Sequence, residues 1–212
     1  MGASGGRPGV PSPRRKAGAT GEHRFVFASQ PRRPAGGRGA VVPPRRGGVV
    51  RMLGLDPGLH LTGYGMIETA GPALRVAEAG VIRTDPRAPL SERLAELYVG
   101  LREVLAEWRP GAIALEDVFA HPAFPRTGIL IGHVCGVISV AASERRIPVE
   151  TIPPAAVKRA LVTSGRADKR QIQRMVRALL TLDREPVSHV GDALALALVA
   201  LSRRGVPLRT PA

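Results

Sequence analysis

Asp56 closes the apolar run Met52-Leu53-Gly54-Leu55 and is followed at once by Pro57-Gly58. Glu116 closes a second such run, Ala112-Ile113-Ala114-Leu115. Asp192 follows His189 by one helical turn, at the start of the alanine–leucine stretch Ala193 to Leu201. A carboxylate at the tip of a buried strand stands on rigid backbone at the rim of a sheet, where loops leave room for a ligand. Three that converge repel one another strongly in low dielectric and need a cation between them. Oxygen donors of this kind suit hard divalent ions, magnesium or manganese. Two such ions about 4 Å apart activate a water and stabilise the leaving oxygen of an in-line displacement. The chemistry expected is metal-dependent phosphodiester hydrolysis, with Asp56 bridging and Glu116 alongside it.

His189 and Asp192, at i and i+3, share one face of a first helical turn and can close this site from above. His189 can ligate a metal through neutral imidazole, or hydrogen-bond the scissile phosphate or attacking water. Imidazole is a softer ligand than carboxylate, so manganese is expected to support cleavage at least as well as magnesium. Plainer readings stand beside each residue. Asp56 can be a turn aspartate before Pro-Gly, Glu116 a solvated strand end, Asp192 an acid favoured at a helix N-terminus, and His189 a solvent-facing histidine.

The elements that must position these residues follow from pattern. Val49–Leu55, Thr62–Glu68 and Arg75–Arg83 read as strands, with Gly71-Pro72 turning the second into the third. Short turns between consecutive strands imply an antiparallel meander. Leu90, Leu94, Leu97, Leu101 and Leu105 mark an amphipathic helix over Leu90–Trp108, ended by Arg109-Pro110-Gly111. Ile113–Leu115, apolar throughout, suits a strand covered on both faces. Thr127–Arg146 reads as a long, mostly buried helix, its Gly128, Gly132, Gly136 and Ser139 permitting close approach to the sheet or to a second subunit. A short strand, Val149–Ile152, precedes helices opening at Pro153-Pro154, at Asp168 and at His189. The fold expected is α/β, a mixed five-stranded sheet with helices on both faces.

Composition sets further bounds. The 212 residues, 44% hydrophobic, allow one good-sized core. The net charge is +14, but residues 1–50 hold ten Lys or Arg against one acid, so most of the excess lies there. Residues 1–48, rich in Gly, Pro and Arg, cannot offset their ordering entropy and are expected to be a disordered basic tail. A nucleic-acid-binding arm, a tether and a start codon placed too early are the three explanations. The folded domain is expected over 49–204, and 205–212 as a short flexible end. The single cysteine, Cys135, excludes an internal disulfide and fits a reducing cytosol. No apolar run reads as long enough to span a bilayer, and a soluble, cytoplasmic protein is expected.

Two further clusters bear on a polyanionic substrate. Phe119 and Phe124 lie in a proline-stiffened loop after Glu116, placed to wedge into or stack on bases; the plainer reading is that Phe119 caps the core. Lys158, Arg159, Arg166, Lys169, Arg170, Arg174 and Arg177 make a dense basic stretch, with Arg170, Arg174 and Arg177 on one helix face. Such a run is ordinarily a solvated face.

Taken together, Leu53-Gly54-Leu55-Asp56-Pro57-Gly58, Thr62-Gly63-Tyr64-Gly65, Leu115-Glu116-Asp117-Val118-Phe119, Val157-Lys158, Asp168-Lys169, Met175-Val176-Arg177 and Asp192-Ala193-Leu194-Ala195 resemble the RuvC family of Holliday-junction resolvases. The motifs stand in family order from about Val50 to Leu201. The resemblance implies a ribonuclease-H-like fold, a homodimer, two magnesium or manganese ions per active site and paired nicks across four-way junction DNA. It also implies cooperation with the RuvA–RuvB branch-migration complex. The family's acidic residues fall on Asp56, Glu116 and Asp192. Its remaining site position is His189 here, where many members carry aspartate and some histidine. Phe119 occupies a position associated with base contact, and Lys158 and Lys169 match positions that contact DNA phosphate, with Arg170 and Arg174 beside them. Other readings are a YqgF-type nuclease acting on RNA, and a junction-binding protein without cleavage activity. An actin-like kinase fold would need roughly twice this length.

Overall fold

The structure, a computed structural model, describes residues 49–70, 73–117, 125–162 and 168–209. The tail at 1–48, Phe119, Phe124 and Arg166 lie outside the described residues. In chain order the elements are β1 (Arg51–Asp56), β2 (Leu61–Ala70), β3 (Ala73–Arg83), α1 (Leu90–Trp108), β4 (Ala112–Glu116), α2 (Pro125–Glu144), β5 (Val149–Ile152), α3 (Pro154–Val162), α4 (Lys169–Leu179) and α5 (Ser188–Arg203). The strands form one five-stranded sheet in the order β3-β2-β1-β4-β5. β1, β2 and β3 pair antiparallel, while β4 lies parallel to β1 and β5 parallel to β4. The expected meander and the expected mixed sheet are both present.

Strand alternation divides the core into two layers. Leu53, Leu55, Tyr64, Met66, Ile113 and Leu115 face α1 and α2, meeting Leu97, Leu101 and Leu105 on the first and Val134, Ile138, Ala141 and Ala142 on the second. Met52, Ile67, Ala112, Ala114 and Ile152 point the other way, towards α3, α4 and α5. α1 stops where Arg109 takes a left-handed conformation (φ 45°) and its N–H returns to the Leu105 carbonyl. β1 runs to Asp56 itself, which pairs with Gly63.

The layer around α5 is built on bare backbone. Gly54 pairs with Gly65 across β1 and β2, and both face α5. A methyl group placed on Gly54 would stand 1.8 Å from the Ala193 carbonyl oxygen, and one on Gly63 would stand 2.2 Å from that of His189. Only hydrogen fits there, so the helix axis lies against the sheet more closely than ordinary helix–sheet packing allows. α5 answers with small residues of its own, and from Val190 to Leu201 every residue except Asp192 is buried.

Three expectations need correction. Over Arg126–Glu144, α2 is long and apolar enough to cross a membrane by length and composition, contrary to the sequence reading. Nor is it mostly buried: Ile129, Leu130 and Val140 are exposed, and nothing stands against Gly132 or Gly136 among the described residues. Gly132 and Gly136 therefore do not serve contact with this chain's own sheet. At the other end, Val206 and Leu208 pack on the core and the Val206 N–H bonds the Leu201 carbonyl, so the packed chain runs beyond residue 204.

Candidate active site

Asp56 and Glu116 end adjacent parallel strands. β1 and β4 pair Gly54 with Ala114 and Leu55 with Leu115, and one further step along that register sets Asp56 beside Glu116. Both fall on the α5 face, in phase with Gly54 and Ala114. The first turn of α5 then brings His189 and Asp192 over them. The His189 Nδ1–H donates to Asp56 Oδ2 at 2.7 Å. Lys169, the first residue of α4, reaches Asp192 Oδ2 with Nζ at 2.6 Å. The structure thus pairs His189 with Asp56 and Lys169, expected to bind phosphate, with Asp192, while Glu116 feels the charges of Asp56 and Asp192.

Electrostatics reflect this crowding. Glu116 is pushed up to about 7, first by burial and then by the charges of Asp56 and Asp192. Asp56 is also raised, mainly by burial, against the pull of its hydrogen bond from His189. Lys169 acts in the opposite sense on both. This donor set, three carboxylates and an imidazole, fits divalent cations in its chemistry. Among the described residues, however, no three His, Cys, Asp or Glu side chains are gathered into a metal-holding group. Asp56 and Asp192 each have an oxygen engaged, by His189 and Lys169 respectively.

The Glu116 shift has a testable consequence. Its folded pKa of about 7 exceeds the ordinary glutamate value of 4.5, so between the two the folded protein holds a proton that the unfolded chain has released. Stability from this group therefore falls as pH rises through that window and is fully lost above it. In EDTA, Glu116→Gln is expected to leave the Tm unchanged near pH 4.5 and to raise it at pH 7.5. A Tm difference independent of pH would refute the assignment.

The loop after Asp56 is fixed from both sides. Thr62 Oγ1 donates to the Gly58 carbonyl at 2.8 Å. Buried Thr84 donates through Oγ1 to the Leu59 carbonyl and through its backbone N–H to that of His60. Thr84 has no sequence signature of this role; only the pairing of β2 with β3 places it there.

The basic residues divide. Lys158 is half-buried on α3, and Arg170 and Arg174 are exposed on α4. Arg177 is committed elsewhere, with Nε donating to the Leu182 carbonyl and an Nη to that of Asp183. This binds the turn after α4 and removes Arg177 from the basic face expected by spacing. Arg174→Ala should reduce the slope of log K against log salt for junction binding by about one. Arg177→Ala should lower the Tm and leave that slope unchanged. Equal slopes for Arg174→Ala and wild type would exclude Arg174 from the phosphate track.

A ribonuclease-H-like sheet carrying acidic residues on β1, β4 and α5 is the framework of a nuclease. The family model for crossover junction endodeoxyribonuclease RuvC matches residues 52–200. The RuvC of Rhodopirellula baltica is 45% identical over 159 residues, covering 74% of this chain and 89% of that protein. The RuvC of Halorhodospira halophila is 42% identical over 160 residues, covering 76% and 95%. Among solved structures, Thermus thermophilus RuvC in complex with Holliday junction substrate superposes with a TM-score of 0.69 at 34% identity, covering 74% of this chain and 97% of that one. The chain belongs to the RuvC family.

Proposed function

We propose that this protein resolves Holliday junctions by paired symmetric nicks, with Asp56, Glu116, His189 and Asp192 as its hydrolytic site. It is a crossover junction endodeoxyribonuclease by family, and family membership carries dependence on divalent metal. The observation that supports the site is that Asp56 and Glu116 each follow directly on the paired residues Leu55 and Leu115 of adjacent parallel strands, with His189 of the first turn of α5 hydrogen-bonded to Asp56. Asp56, Glu116 and Asp192 would hold two magnesium or manganese ions, with Asp56 central because it lies between the other elements. Bound there, the metals supply an activated water and charge stabilisation at the scissile phosphate.

The chain's own residues supply the rest. His189, anchored through Nδ1 on Asp56, has Nε2 left for the phosphate or the attacking water. Lys158, Arg170 and Arg174 hold the backbone of the DNA arm by charge. Phe119, outside the described residues, is the proposed base contact. Two coordinated nicks need two sites, and the exposed apolar face of α2, with Ile129, Leu130 and Val140, suits a second copy of this chain. Cooperation with RuvA–RuvB in the cytoplasm completes the reading.

The test is a synthetic mobile four-way junction incubated with manganese or magnesium. Symmetric nicks whose products religate support resolution; binding without cutting in either metal would reduce the protein to a junction binder.

A further inference from the structure

Lys169 sits in an unfavourable place for helix stability. A cation in the first turn opposes the helix dipole, and α4 carries no acid within that turn, only Asp168 at its N-cap. Asp168, the residue before it, caps the helix through a reciprocal hydrogen-bond box with Gln171. The backbone at Lys169 is therefore pinned while its four-carbon stem remains able to swing. That stem crosses to α5, where Nζ meets Asp192 Oδ2 at 2.6 Å. The same ammonium lowers the cost of charge on Asp56 and on Glu116. One side chain thus serves as counter-ion to three carboxylates carried on three different elements.

Resting on the site reading given above, we infer that Lys169 couples junction binding to metal binding by competing for Asp192. While its ammonium holds Asp192 Oδ2, that oxygen is taken and a like charge stands beside any incoming divalent cation. The pair is more than half exposed at its lysine end, so it is weak enough to be broken. A DNA phosphate at the mouth of the site offers Lys169 an alternative charge-assisted partner. Once Lys169 turns to the phosphate, Asp192 is released for the metal. Coupling of this kind is reciprocal: DNA tightens metal, and metal tightens DNA by the same factor. The free enzyme consequently holds its metals weakly and is armed by the substrate.

The test measures Mn2+ binding by the DNA-free, full-length protein, counting free ion by electron paramagnetic resonance. Lys169→Met is expected to bind Mn2+ about tenfold tighter than wild type, within the usual range of coupling factors. Lys169→Arg, which keeps the charge, should bind like wild type. In a second arm, junction affinity is read by fluorescence anisotropy with and without Ca2+, with the DNA checked for integrity on a denaturing gel. The Ca2+-dependent gain should be several-fold smaller for Lys169→Met than for wild type, a ratio that cancels any direct loss of phosphate contact. Wild-type Mn2+ affinity in Lys169→Met, or weaker, overturns the coupling. Asp192→Asn separates the two claims: unchanged Mn2+ binding in that variant overturns the site assignment itself.

Discussion

Asp56→Asn is expected to abolish junction cleavage while leaving junction binding and the fold intact. The amide preserves the shape and the hydrogen-bonding reach of the side chain but removes the charge at the centre of the site. Losing one preorganised group aimed at a developing charge already costs roughly 10²–10³ in rate. If Asp56 holds the metals as proposed, its loss should cost on the order of 10³ or more. Removing the charge also relieves Glu116, whose elevation owes part of its size to Asp56. The variant should therefore be at least as stable as wild type in EDTA. Single-turnover nicking of a labelled junction, with binding measured in parallel, decides the matter. Cleavage within tenfold of wild type would remove Asp56 from the centre of the site.

Gly54→Ala is expected to be the most damaging single methyl that can be added to this fold. Its Cβ would overlap the Ala193 carbonyl oxygen at 1.8 Å and approach the Ala197 nitrogen at 3.0 Å. Neither atom can move without moving α5, since both belong to helical backbone. Overpacking a core ordinarily costs about 1–3 kcal/mol; a clash against main chain should reach about 3 kcal/mol or more, a large share of a marginal stability. Chemical denaturation gives the number directly. Gly111→Ala supplies the contrast, because the added methyl meets nothing closer than 3.5 Å, the Arg51 carbonyl oxygen. Equal midpoints for the two variants would show that α5 is free to lift off the sheet.

The sequence carried the sheet and most helices because their signals are local. The leucine spacing of α1, the unbroken apolar runs of β1 and β4, and the capping residue Asp168 are each legible within a few residues. Asp56 and Glu116 are legible because each ends such a run, and Asp192 because it opens one. What stayed hidden depends on distance along the chain. The hydrogen bond between His189 and Asp56 joins residues 133 apart, and nothing in either neighbourhood announces the other. Lys169 looked like one more phosphate contact until α4 and α5 were placed together. Gly63 and Gly65 were visible as a motif, but their function as a bare floor for α5 needs the helix to be seen. α2 misled for a different reason. An apolar helix hides its surface in its own core or in another molecule's, and composition does not distinguish them.

The separation of the site residues along the chain has a bearing on how the enzyme comes into being. β1 carries the first carboxylate, β4 the second, and α5, last of the described elements, the third together with the histidine. A polypeptide emerges from its N-terminus, and N-terminal regions are the first able to fold. The nascent sheet can thus form its meander and accept β4 long before α5 exists to settle onto the glycine floor. A chain stalled or cleaved before Ser188 would carry Asp56 and Glu116 on a partial sheet without the proposed partners His189 and Asp192. On the proposed site, the full set of acids and the histidine is assembled only when α5, the last described helix, settles on the sheet.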